Sequence, residues 1–111
     1  MPIVAKNIIP ARNLENTQTT QYVATGVTTI IDKFTATNFS SGSVNVSVNL
    51  ASSGQATGNS NLIVKARTLQ PGETYTFPEI VGHILPSGGF ISTLASAAAA
   101  VNIRASGREI S

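Results

Sequence analysis

Turn signals divide this chain so finely that few architectures can hold it. Gly26, Ser41-Gly42, Ser53-Gly54, Gly58, Pro71-Gly72, Pro86, Gly88-Gly89 and Ser106-Gly107 break residues 19–111 into short runs. Signals spaced about 8–12 residues apart mark sandwiches or barrels of antiparallel strands. The runs themselves agree. Val44, Val46, Val48 and Leu50 alternate with Asn45, Ser47 and Asn49 at a strand's period of two. Val46 and Val48 are therefore expected to point inward, with Phe34 and Ile103 in the same layer and Asn49 on the opposite face. Leu62, Val64 and Ala66 alternate with Ile63, Lys65 and Arg67, which gives one apolar and one basic face. Ile30-Ile31, Phe34 and Ala36 belong to a longer Thr-rich strand, and Tyr75 and Phe77 alternate with Thr74 and Thr76. β-branched and aromatic residues dominate, as a half-buried pleated surface favours. The expected fold is all-β: an antiparallel β-sandwich or jelly roll of about eight short strands.

Two stretches test that expectation. Leu94 to Ser111 carries four alanines in a row, Ala97 to Ala100, with strand-like flanks: Phe90 to Leu94 before them, and Val101 and Ile103 alternating with Asn102 and Arg104 after. A helix there would span under two turns, and so short a helix is marginal without tertiary support. The simplest reading is a hairpin closed by Ser96 to Ala99. Pro78 to Gly82 allows one helical turn, with Pro first, Glu79 in the first turn and Gly to end it. Ile80 and Val81 would then cap the core. Residues 1–18 differ from the rest. Ile3-Val4 and Ile8-Ile9 are apolar pairs around Lys6-Asn7, Pro10 blocks a regular element, and Asn13 to Gln18 is polar. This segment reads either as an extended arm with two sticky points or as a first edge strand, ahead of a sandwich domain at 19–111.

Composition sets the function classes. Only 11% of residues are charged, against roughly 25% in an ordinary domain. Ser, Thr, Asn and Gln fill 38 positions instead. Such a surface repels neighbours weakly and suits a protein packed against others. The seven basic and five acidic residues are scattered, without the basic and aromatic patch that nucleic-acid binding needs. The absence of cysteine removes disulfides, thiolate metal sites and a cysteine nucleophile. No signal peptide or membrane span is read at the start or along the chain, so synthesis in a cytoplasm is expected.

Candidates for chemistry are few. His83 is the only histidine. Catalysis would require a nucleophile for it to deprotonate or a carboxylate to orient it. Glu79 and Ser87, four residues to either side, are the available neighbours. A half-exposed histidine after a turn is the favoured reading. Glu15, Asp32, Glu73, Glu79 and Glu109 form no glycosidase-like pair and no calcium-loop spacing. Asp32 interrupts a strand-like run beside Lys33, and a cross-strand ion pair with Arg104 or Lys65 accounts for it. Ser53 to Ser60 is glycine-rich but lacks the lysine and following helix of a phosphate loop, and it reads as an exposed, mobile loop. Asn38-Phe39-Ser40 and Asn45-Val46-Ser47 match the glycosylation triplet, which carries no weight without a signal peptide. No catalytic, cofactor or metal site is expected.

Leu69-Gln70-Pro71-Gly72-Glu73-Thr74 resembles the L-x-P-G-E-T turn into a strand that recurs in small β-sandwich modules. The closing segment, Ser87 to Ser92 through Val101 to Ile110, is similar to the endings of small tailed-bacteriophage virion proteins, which often finish on a strand followed by S-G-x-E-I. The strand Ile30 to Asn38, a glycine turn and Val44 to Leu50 fit the same style. Gly88-Gly89 stands where such modules often have G-D. The resemblance covers about residues 20–111 and rests on turn-and-strand patterns. It implies a non-enzymatic building block of the virion, with no catalytic residues. The leading expectation is a head decoration (cement) protein, forming a homo-oligomer, a trimer in preference, and binding the major capsid protein or other virion proteins. The alternatives are a collar, neck or tail component, and a carbohydrate- or receptor-binding module. The last is weakened by the absence of Trp and by only two Tyr.

Overall fold

A computed structural model describes residues 2–111. Nine strands follow in order: β1 (Ile3–Asn13), β2 (Thr19–Val23), β3 (Thr28–Asn38), β4 (Val44–Ala51), β5 (Leu62–Leu69), β6 (Thr74–Thr76), β7 (Ile84–Leu85), β8 (Phe90–Ala95) and β9 (Val101–Ile110). They form two antiparallel sheets. Sheet A has the order β1-β9-β3-β6, with β7 also on β3, and sheet B has the order β2-β8-β4-β5. Counting β6 and β7 as one interrupted strand, eight strands are shared equally between two facing sheets. Apart from β4 and β5, neighbours within each sheet are not consecutive in the chain, the arrangement of a jelly roll. The fold class is as the turn spacing predicts.

β6 and β7 are separate because the turn at Pro78 to Gly82 stands out from the sheet. The Ile80 N–H donates to the Phe77 carbonyl at 3.1 Å, and the Gly82 N–H returns to Ile31 at 2.7 Å. The Val81 N–H also reaches the Phe77 carbonyl at 3.4 Å, so the segment makes one helix-like turn and no more. Ile80 is fully buried as a plug, whereas Val81 is exposed and caps nothing. The core layer is as expected: Phe34, Val46, Val48 and Ile103 are all fully buried. Phe34 meets Phe77 edge-on at 5.3 Å between centroids, and Phe77 meets Tyr75 at 4.8 Å. The Arg67 guanidinium lies over the Tyr75 ring at 3.9 Å and closes that side of the sandwich.

The alanine stretch forms neither a helix nor a hairpin. Its flanks are strands, as read, but β8 lies in sheet B and β9 in sheet A. Ser96 to Ala100 therefore arches over the end of the sandwich. Small side chains permit the tight crossing. Ala99 adopts φ 53° and donates its N–H to the Leu14 carbonyl at 3.2 Å, while the Ala100 carbonyl accepts from Phe39 at 3.0 Å. A hairpin fails because β9 already has two partners. It pairs with β3 from Thr28–Ile110 to Asn38–Val101, and with β1 on its other side.

The N-terminal segment is an edge strand and not an arm. β1 pairs with β9 from Ile3–Ile110 to Asn13–Asn102. Pro10 does not stop it. It falls where the register shifts between Ile9 and Arg12, and an edge tolerates a residue with no N–H to give. Ile8 and Ile9 are buried in the chain's own core, so only Ile3 and Val4 remain of the two sticky pairs.

One strand-face assignment also changes, and one outer-face residue is covered. Ala66 is not a core residue. It adopts φ 50° in a bulge between the Val48–Val64 and Val46–Arg67 pairs, which flips the alternation and leaves it exposed. Its N–H bonds the Ser47 hydroxyl at 2.8 Å. Asn49 does lie on the outer face, but it is buried all the same, because the loop after β4 folds over it. Its amide donates to the Gly58 carbonyl at 3.1 Å and to Asn61 Oδ1 at 2.8 Å, and its oxygen accepts from Gln18 at 3.3 Å. Asn49→Asp would therefore turn a carboxylate towards two acceptors, at an expected cost of about 2 kcal/mol. Asn45→Asp keeps the oxygen that accepts from Thr68 and should stay within about 0.5 kcal/mol of the parent. Denaturant unfolding of the two variants checks this. Equal losses would overturn the covering role of the loop.

Candidate functional site

The structure does not assemble the residues nearest to a catalytic constellation. His83, Glu79 and Ser87 are all exposed. Glu79 accepts instead from the Tyr75 hydroxyl at 3.0 Å, and only the His83 backbone is engaged, with Ile31 and Ile80. Asp32 pairs with Arg108, at 3.0 Å and in two-pronged geometry, and not with Arg104 or Lys65. The reason is register. An extra residue in β3 between Ile31 and Lys33 moves Asp32 towards the Arg108 end of β9. Among the described residues no three His, Asp or Glu side chains come together to hold a metal ion. The loop at residues 53–60 is exposed for most of its length but is anchored through Gly58 to Asn49 and Asn61. Asn38 is buried and donates to the Gly42 and Leu69 carbonyls.

One polar cluster escaped the sequence reading because its members are far apart in the chain. Tyr22 of β2 reaches across from sheet B to sheet A. Its hydroxyl donates to the Glu109 carboxylate and receives the Thr29 hydroxyl at 2.6 Å, and Lys6 stands 3.5 Å from the same carboxylate. Burial, and then the bond to Glu109, push the Tyr22 hydroxyl up to about 12. An unfolded tyrosine ionises near pH 10. The neutral phenol therefore supports the fold fully below about pH 10, and that support is lost as pH rises through about 12. Tyr22→Phe should flatten the fall in thermal midpoint between pH 10 and 12. Identical profiles for the two proteins would remove this link between the sheets.

The two outer sheet faces are the extended surfaces on offer. On sheet A, strand pairing sets side chains in rows. Ile3 lies beside Ile110, and Arg108 beside Ile30, which in turn pairs with Ile84. Further along, Lys33 faces Ser106, Arg104 faces Thr35 and Asn102 faces Thr37, and these six line a shallow hollow. At the other end Ile3 is 63% exposed and Ile84 58% exposed. On sheet B, two adjoining hollows share Ser47, Ala66 and Leu94, and the Ala66 bulge lies between them. Asn16, Asn45, Gln18 and Lys65 stand around this groove. Beneath it Gln18 bonds Ser92 at 2.7 Å, and Ser92 bonds the Thr19 carbonyl, so the floor is fixed. Compared with protein families, curated proteins and solved structures, the chain gives no match.

Proposed function

We propose that this protein is a non-enzymatic structural component of a tailed-phage virion, a decoration (cement) protein that sits across joints of the head shell. Jelly rolls build many capsid modules, but a fold alone names no role. One observation carries the reading. Aliphatic side chains on the outer face of sheet A gather at one end of the sandwich, where Ile3 and Ile84 are each more than half exposed. Large apolar groups left in water and grouped together mark a contact surface. The similarity of the closing segment to virion proteins and the weakly charged surface point the same way. The mechanism is mechanical: each copy buries area across a joint, worth roughly 25 cal/mol per Å² of apolar surface, and symmetry repeats the gain.

The partners are copies of this chain, as a trimer on a local threefold, and the shell protein. The test is to add purified protein to particles that lack it. Occupancy of symmetry-related head positions by electron microscopy, with a higher disassembly temperature, is the expected result. Density at the collar or tail would move the protein there, and no association would sink the reading. Replacing Ile3 and Ile84 by Ser, at positions too exposed to unfold the chain, should lower the occupancy of the protein on the particles. A second reading, a carbohydrate- or receptor-binding module, rests on the amide- and hydroxyl-lined groove of sheet B. Glycan binding that survives Ile3→Ser but fails in Ser47→Leu would favour it.

A further inference from the structure

The charges of this chain are not spread evenly over its fold. Lys33, Arg104 and Arg108 share the outer face of sheet A, and Asp32 is the one acid among them. The other four cations, Lys6, Arg12, Lys65 and Arg67, are matched in number by Glu15, Glu73, Glu79 and Glu109. The whole net charge of +2 therefore belongs to one face. Arg108 is already held by Asp32. Arg104 reaches only the neutral Asn7, at 3.2 Å, and Lys33 is exposed. Lys33 stands opposite Ser106, and Arg104 is two residues along the same strand, a diagonal of about 7–8 Å. That is within the screening length of about 8 Å at physiological salt, so a single anion feels both. The Thr35, Thr37 and Ser106 hydroxyls beside them can donate to the same group.

We infer that the outer face of sheet A docks an acidic protein surface, one that sets carboxylates against Lys33 and Arg104 and aliphatic side chains against Ile3 and Ile84. The apolar end on the same face selects protein over nucleic acid. So does the small number of cations, since a duplex-binding protein neutralises about 6–10 phosphates and three cations with an acid among them do not. Charge complementarity of this kind acts mainly on association rate and on the choice of partner. The inference stands on charge, register and the apolar end of the same face, and holds whether or not the partner is a phage shell.

The test is a titration of the full-length, isotope-labelled chain with poly-L-glutamate and, separately, with a duplex DNA of equal charge, at low and at physiological salt. Poly-L-glutamate should shift the amide signals of Lys33, Thr35, Arg104 and Ser106 and leave β5 and the sheet B groove unmoved. Its affinity should fall with salt. Replacing Lys33 and Arg104 together by Glu should weaken binding at least about tenfold, and Lys65→Glu on the other sheet less than about twofold. Gln at the same two positions should give an intermediate loss. Shifts scattered over both sheets, no binding even at low salt, equal losses from Lys65→Glu, or tighter binding of DNA at physiological salt would each overturn the proposal. The shell-binding experiment is read separately. Particles that bind the chain while poly-L-glutamate does not would leave the structural role standing and remove the acidic partner.

Discussion

A chain lacking residues 2–12 is expected to lose its cooperative thermal transition altogether. Those residues are most of β1, and they bring Ile8 and Ile9 into the core. Each large aliphatic removed from a core costs about 2–5 kcal/mol. The loss extends further, since β9 would become an edge and uncover Ile103 and Ala105, which now pair with Arg12 and Ile9. The total approaches or exceeds the whole stability of an ordinary domain, about 5–15 kcal/mol. Far-ultraviolet circular dichroism during a thermal ramp is the measurement. A truncated chain that melts cooperatively within a few degrees of the full one would return the segment to the status of a detachable arm. The attachment proposed for Ile3 must therefore be tested by point substitution, not by truncation.

Phe34→Ala is expected to destabilise the chain by about 3–5 kcal/mol. Phe34 is fully buried and packs edge-on against Phe77, which in turn packs against Tyr75. Sheet A meets Val46 and Val48 of sheet B in this layer. At about 4 °C per kcal/mol for a domain of this size, the melting temperature should fall by about 12–20 °C. Phe77→Ala should cost a similar amount, and the double variant less than the sum, because the aromatic pair is lost only once. A loss below about 1 kcal/mol for Phe34→Ala would mean that the two sheets do not meet there.

What the sequence disclosed and what it hid follow from the range over which each force acts. Strand identity depends on alternation over a few residues, so Val44 to Leu50 and the strands flanking the alanines were legible. Partners depend on residues tens of positions away. Ser96 to Ala100 looks like a hairpin turn because nothing nearby shows that Val101 to Ile110 is claimed by β1 and β3. Bulges were invisible for a related reason. An alanine at φ 50° is an uncommon backbone state, and no residue type announces it, so Ala66 was assigned to the wrong face. The single extra residue at Asp32 redirected an ion pair from Arg104 to Arg108. The cluster of Tyr22, Thr29, Glu109 and Lys6 joins four strands and exists only once both sheets have closed. The concentration of net charge on one face was equally hidden, because Lys33, Arg104 and Arg108 are scattered in sequence and share a face only through the β3–β9 register.

The place of β9 between β1 and β3 governs how the chain must come into being on the ribosome. Of all the consecutive strands, only β4 and β5 are hydrogen-bonded to each other, so every other pairing waits for a strand made later in the chain. β1 pairs only with β9, and β3, which β6 and β7 can join earlier, still waits for β9 on its other side. At about 5–20 residues per second, Ile3 emerges on the order of 5–20 s before Val101. Throughout that interval Ile8 and Ile9 have no sheet to enter. Sheet A therefore closes only after β9 has been made, and folding is dominated by pairings distant in sequence, the slow end of the range for small domains. The nascent chain is most exposed to aggregation just before β9 arrives. A low charge that helps finished copies pack together gives the unfinished chain little electrostatic protection against sticking to its neighbours.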